Sequence, residues 1–246
     1  MTPMVMRCLP ALLQWLLNRV ETGFGEPLPG TRDDVGEGAT GSGAEAPASS
    51  RTTIALGTRS GSAQWIMAYL PSLPDHAVLL DVFRAYPQTA RPLLAYHQAL
   101  LRGPSPLTVA ERELIAAYVS GVNACGYCHG VHQATAQAFG IGEGTLAALL
   151  TDVDTAPIPE RMKPLLRYVG KLTVAPAKVA PAEAEAVLSA GWEEQAMYDA
   201  VAVCGLFNLM NRLVEGLGIT AGEEYFVTAA RRLAGEGYSG LADLLE

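Results

Sequence analysis

The sequence predicts an all-α fold, and three observations predict it. The chain of 246 residues is rich in Ala and Leu and only 7% aromatic, a balance that favours helix over sheet. Its apolar residues recur at three- and four-residue intervals between recognisable caps and breakers. No stretch alternates with the period of two that a half-buried strand requires. Half of the residues are hydrophobic, ample material for a core.

Taken in order, residues 9–20 (LPALLQWLLNRV) read as a short amphipathic helix, shorter than the roughly 20 apolar residues of a membrane span. No A-x-A cleavage signal follows it. From about Gly23 to Ala63 the composition turns to Gly, Ser, Ala, Pro and Thr, which bury too little surface to offset ordering entropy. Residues 1–62 therefore read as an N-terminal extension with a disordered linker, and 63–246 as one helical domain. Asp75 is placed to cap a helix over 76–85, and Pro87 stops it. A second helix spans Ala90 to Leu101 and ends at Gly103-Pro104. Thr108-Val-Ala-Glu111 is a capping box opening the helix that carries Glu113, whose core stripe is Leu114, Ile115, Tyr118, Val119 and Val122. Gly121 and Asn123 end this helix, and Asn123 caps the next, which runs from about Ala124 to Phe139 and stops at Gly140. Further helices fall at 143–150, 160–173, 181–190 and 193–216, the last being the longest and most apolar and so central to the core. Thr220-Ala-Gly-Glu223 is a second capping box, starting a helix to about Leu233.

A formal charge of −8 with no Lys/Arg cluster argues against a nucleic-acid partner, and no Gly-rich phosphate loop is present. No segment is read as a membrane span. Four cysteines in a chain of this length are not a disulfide scaffold. Cys8 and Cys204 stand alone, whereas Cys125 and Cys128 form a C-x-x-C, a pattern that fits one reactive dithiol in a reducing, cytoplasmic compartment. Cys204, within AVAVCGLF, reads as an inert buried side chain.

The chemistry concentrates in Glu113 to His132, ELIAAYVSGVNACGYCHGVH. With Asn123 as N-cap, Cys125 falls at the second helical position, where the helix dipole lowers a thiol pKa. Cys128 and His132 are four apart, hence neighbours on one face, and an imidazole there can take the thiol proton. In one unbroken helix Glu113 would point about 120° away from Cys125; a break at 121–123 lets it fold back towards His132 and orient the ring. The dipole favours Cys125 as the more acidic thiol and the neighbouring base favours Cys128, and the base decides for Cys128. Zinc is the sharpest chemical alternative. However, Cys125, Cys128, His129 and His132 all lie on one helical stripe, and no second ligand pair exists elsewhere to close a cage.

The run Glu113, Cys125, Cys128, His132 resembles the active-site signature of the AhpD-like alkylhydroperoxidases of the carboxymuconolactone decarboxylase superfamily. It is especially similar to the peroxidase-related branch, in which Asn123, Cys125, Tyr127, Cys128 and His132 match position for position. LLRYVGKLTVAP and CGLFNLMNRLVEGLG, with Phe207, Asn208, Asn211 and Arg212, extend the resemblance over roughly Trp65 to Leu233. It implies an AhpD-like helical bundle, assembly as a homo-oligomer (trimer or hexamer), and hydroperoxide reduction without a metal or other cofactor. Cys128 would attack, His132 and Glu113 would relay the proton, Cys125 would resolve the sulfenic acid, and a thiol protein or lipoyl-type carrier would reduce the disulfide. Tyr127 stands where the alkylhydroperoxidase prototype has a histidine, and His129 has no family counterpart. The decarboxylase side of the superfamily lacks the cysteine pair. Two other readings remain: a dithiol–disulfide oxidoreductase or redox sensor, and a helical assembly protein that keeps the motif without turnover.

Overall fold

In the computed structural model, residues 68–245 are described; the 9–20 helix and the 23–63 linker expected from the sequence lie outside them. Among the described residues the fold is all-α: ten helices, one 3-10 turn (Pro176–Lys178) and no strand. In chain order these are α1 (Leu79–Ala85), α2 (Pro87–Arg102), α3 (Val109–Val122), α4 (Gly126–Ala138), α5 (Thr145–Thr151), α6 (Met162–Val174), α7 (Pro181–Ser189), α8 (Glu194–Gly216), α9 (Glu223–Gly235) and α10 (Ser239–Asp243). None of them is long and apolar enough to cross a membrane.

The first helix begins three residues later than expected. Asp75 does not cap it; instead the Val78 N–H donates to Asp81 Oδ2 at 2.9 Å, so the cap is a carboxylate reaching back from the third helical position. α2 opens directly on Pro87, whose fixed φ suits a first helical position, and it runs through Pro92. Thr108 caps α3 as read: its hydroxyl accepts from the Glu111 N–H at 3.1 Å, and Glu111 Oε2 accepts the Thr108 N–H at 2.8 Å. The second capping box is not formed. Gly222, not Thr220, is the N-cap of α9, and Glu223 and Glu224 in the first turn complement its dipole.

The turn between α3 and α4 sets the site. Asn123 is the C-cap of α3, not the N-cap of α4. Ala124 follows in the left-handed region at φ +56°, the Cys125 N–H donates to the Ser120 carbonyl at 2.9 Å, and the Ala124 N–H donates to that of Gly121 at 2.9 Å. This is a Schellman motif with alanine in the seat that glycine usually takes. The N-cap of α4 is therefore Cys125 itself.

α4 packs against α3 on one side and α9 on the other, while α3 and α6 lie against the central α8. Phe207, Leu94, Leu101, Ile115, Leu165 and Leu166 are among the core side chains buried almost completely. Gly130 lets α9 approach α4 closely, because a Cβ there would sit 2.3 Å from the Phe226 ring. That approach brings one face of α9 over the dithiol.

Candidate active site

Glu113 is 0% exposed, which only strong partners permit for a carboxylate. His132 Nδ1–H donates to its Oε2 at 2.6 Å, and Arg102 Nη1 donates to its Oε1 at 2.6 Å. The Tyr238 hydroxyl stands 3.4 Å from Oε1. Burial pushes the carboxyl pKa up, but His132 and then Arg102 outweigh it, and the net shift is downward. The guanidinium is itself held, donating to the Leu233 carbonyl at 3.1 Å and lying 5.1 Å from each of the Phe139 and Tyr238 ring centres. The sequence reading placed Glu113 near His132 but missed Arg102 and Tyr238. Arg102, in the last turn of α2, reads locally as a cation answering the helix dipole.

Cys125 and Cys128 are both free thiols, buried at 0% and 3% exposure. The Cys128 thiol and backbone N–H both donate to the Cys125 sulfur, and together they hold Cys125 below its ordinary pKa against burial and the nearby Glu215 carboxylate. The bond to Cys125, and then burial, push the Cys128 thiol far up; a hydrogen bond from Asn211 works the other way. As the N-cap, Cys125 sits where the helix dipole also favours negative charge. The first charge on the dithiol thus belongs to Cys125. Access belongs to Cys128, which with His132 lines a cavity of about 70 Å³, whereas Cys125 does not reach it. At roughly 10–15 Å³ per water, this cavity holds more than a hydrogen peroxide molecule.

The cavity is walled by Phe207, Met210, Leu233 and other apolar side chains, with Tyr127, Tyr238 and His97 among its few polar groups. His97 went unnoticed in the sequence. Its Nδ1–H donates to the Leu93 carbonyl at 2.8 Å, which leaves Nε2 as an acceptor. Its ring lies 5.0 Å from that of Tyr238 and 6.1 Å from that of Phe207. Burial lowers its pKa to about 4, with His132 acting in the same direction and Leu93 and Glu113 opposing. His97 is therefore neutral in the fold at neutral pH. Its contribution to stability is complete above the unfolded value near 6.5 and is lost as pH falls towards about 4. The loss over that window is on the order of 3 kcal/mol. Urea midpoints at pH 7 and 4.5 should therefore fall less steeply for His97→Phe than for the wild type. Equal slopes would show that His97 does not titrate this way.

The remaining motif residues turn elsewhere. His129 Nδ1–H donates to the Ala117 carbonyl at 2.9 Å, tying α4 to α3. The Tyr127 hydroxyl donates to that of Tyr225 at 2.7 Å and accepts the Leu79 N–H at 3.2 Å. His129 and His132 thus donate from Nδ1 to different groups of α3, a backbone carbonyl and a carboxylate. Asn123 Nδ2 donates to Asn211 Oδ1 at 2.8 Å and Asn208 Oδ1 at 3.2 Å, and Asn211 Nδ2 to Ser120 Oγ at 3.0 Å, pinning the corner to α8. Cys204 is buried against Thr173 Oγ1 at 3.3 Å, outside the cavity, and burial raises its pKa.

Residues 87–158 match the carboxymuconolactone decarboxylase family. Among solved structures, the chain is similar to an uncharacterized peroxidase-related protein from Silicibacter sp. TM1040. The two share 29% identity over 60% of this chain and 78% of that one, with a TM-score of 0.55. It is likewise similar to an uncharacterized peroxidase-related protein with an alkylhydroperoxidase AhpD core from Ralstonia eutropha JMP134. Here identity is 28% over 61% of this chain and 78% of that one, with a TM-score of 0.56. A protein of unknown function from Agrobacterium tumefaciens shares the fold at 18% identity, over 57% of this chain and 95% of its own, with a TM-score of 0.50. No curated protein matches the sequence.

Proposed function

We propose that this chain, an AhpD-like member of the carboxymuconolactone decarboxylase superfamily, reduces hydroperoxides with its Cys125–Cys128 dithiol. The observation that carries the reading is the division of labour at the site. Cys128 and His132 share the cavity wall, and Cys125 lies beneath with the more acidic thiol. His132, oriented by Glu113, takes the Cys128 proton; the thiolate attacks the terminal peroxide oxygen and the O–O bond breaks. The Cys128 sulfur becomes a sulfenic acid, and the imidazolium returns its proton to the leaving alkoxide, giving the alcohol. Cys125 then displaces the sulfenic oxygen as water and forms the disulfide, a step its depressed pKa suits. One peroxide and two thiols give one alcohol, one water and one disulfide.

Burial of both sulfurs favours a small oxidant over a protein disulfide as the first oxidant. It equally favours a slender reductant, so the disulfide is returned to thiols by a lipoyl-type arm or an extended thiol carrier. Assembly as a trimer or hexamer would give cover to apolar side chains that α8 leaves outside, Tyr198 at 65% and Leu209 at 53% exposure. A reducing, cytoplasmic setting would keep the Cys125–Cys128 pair as thiols between turnovers.

Anaerobic mixing of the reduced protein with one equivalent of cumene hydroperoxide should consume two thiols per peroxide and leave a 125–128 disulfide on peptide mapping. An unchanged thiol titre would sink the proposal. A disulfide that forms only with protein disulfides would make the chain a dithiol–disulfide oxidoreductase.

A further inference from the structure

The cavity over Cys128 is lined by one permanently charged side chain, Arg232, among apolar and aromatic walls that also carry tyrosine hydroxyls and two imidazoles. Arg232 belongs to the face of α9 that also presents Tyr225 and Ala229, spaced by four and seven residues, so the three line the same wall. Ala229, between them in sequence, adds only a methyl group to that wall. Tyr225 is joined through its hydroxyl to that of Tyr127, one residue before Cys128, so the α9 wall and Cys128 face one space. Arg232 is half-buried and, among the described residues, has no ion-pair partner and donates no side-chain hydrogen bond. The other arginine near the site, Arg102, is paired with Glu113 and donates to the Leu101 and Leu233 carbonyls. In a chain with a net charge of −8, an unpaired guanidinium at an apolar cavity is a selective feature. Its place in the last turn of α9 also answers the helix dipole, but that role does not require it to border the cavity.

We propose that Arg232 binds the carboxylate of an amphipathic organic hydroperoxide, whose alkyl segment fills the apolar cavity and whose peroxide end meets Cys128. This deepens the peroxidase reading and rests on it. The cavity suits a few carbons and the peroxide group, which leaves the carboxylate at the half-buried guanidinium. There a charge-assisted, fork-shaped pair forms without desolvating either ion completely.

The test uses the full chain and two substrates that differ only in charge, 6-hydroperoxyhexanoate and its methyl ester. The wild type should prefer the acid by about tenfold in kcat/KM, expressed in KM, the scale of one charge-assisted contact. The preference should shrink as ionic strength rises. In Arg232→Gln the acid-to-ester ratio should collapse to about one, and Arg232→Lys should keep part of it. Equal kcat/KM for acid and ester in the wild type, or a preference that survives Arg232→Gln, overturns the assignment. If neither substrate is consumed, the peroxidase reading fails by itself. The subsite is then decided by titration calorimetry with 6-hydroxyhexanoate: binding to the wild type that weakens about tenfold in Arg232→Gln upholds it, and indifference refutes it.

Discussion

Cys128→Ser should lower the single-turnover rate of hydroperoxide consumption by roughly 10³-fold or more, since among the described residues it removes the one thiol that borders the cavity. Cys125→Ser should behave differently. Its first turnover should proceed within about tenfold of the wild-type rate, end in a Cys128 sulfenic acid trappable by dimedone, and go no further. The contrast bears directly on the charge distribution. In the resting dithiol the lower pKa sits on Cys125, because Cys128 donates to it and because Cys125 caps α4. If the more acidic thiol were also the attacking one, Cys125→Ser would be the silent variant and Cys128→Ser would still consume one peroxide. That outcome would reverse the roles. The geometry favours the first result: low pKa is useful at the buried sulfur only for the resolving step, whereas the attacking sulfur needs access and a base. Stopped-flow peroxide decay with dimedone labelling distinguishes the two.

How much of this was legible beforehand depends on the range of the interaction. The α3 start was readable because Thr108 and Glu111 are three residues apart and satisfy one another locally. The return of Glu113 to His132 was readable because it required only a helix break, and Gly121 and Asn123 advertised one. The details of the break were not. The Schellman seat belongs to Ala124, a residue that carries no preference for positive φ, so Asn123 attracted the N-cap role that Cys125 holds. Thr220 misled in the same way, offering an N-cap two residues before Gly222, the one the helix uses. Arg102, Tyr238 and His97 could not have been found by pattern at all. Each reaches the site by tertiary packing: Tyr238 meets Glu113 across 125 positions of sequence, and Arg102 meets the Leu233 carbonyl across 131. A buried carboxylate does predict that a cation must exist somewhere, but not which one.

That cation carries the second large effect. Arg102→Met should destabilise the fold by about 3–5 kcal/mol, the usual result of stripping one partner from a buried ion pair and leaving the other. Glu113 would keep His132 and the Tyr238 hydroxyl, but its burial would no longer be offset by a permanent charge. The sign of its pH dependence should then change. In the wild type the depressed carboxyl pKa contributes stability above the unfolded value near 4.3, and that stability is lost as pH falls below it. In Arg102→Met, burial should dominate, raise the carboxyl above its unfolded value, and make the fold bind a proton at higher pH. A protonated Glu113 orients His132 less firmly, so single-turnover peroxide reduction should also drop, by roughly 10²-fold. Removing both charges in Arg102→Met/Glu113→Gln should restore much of the stability, because no ion is left uncompensated, while the rate stays low. Urea midpoints and single-turnover rates for the wild type, both single variants and the double variant separate these effects. Should the double variant prove as unstable as the sum of the two singles, the pair would not be coupled and the charge argument would fail. Should stability and rate recover together, Glu113 would serve the fold alone, and His132 would need no carboxylate to do its work.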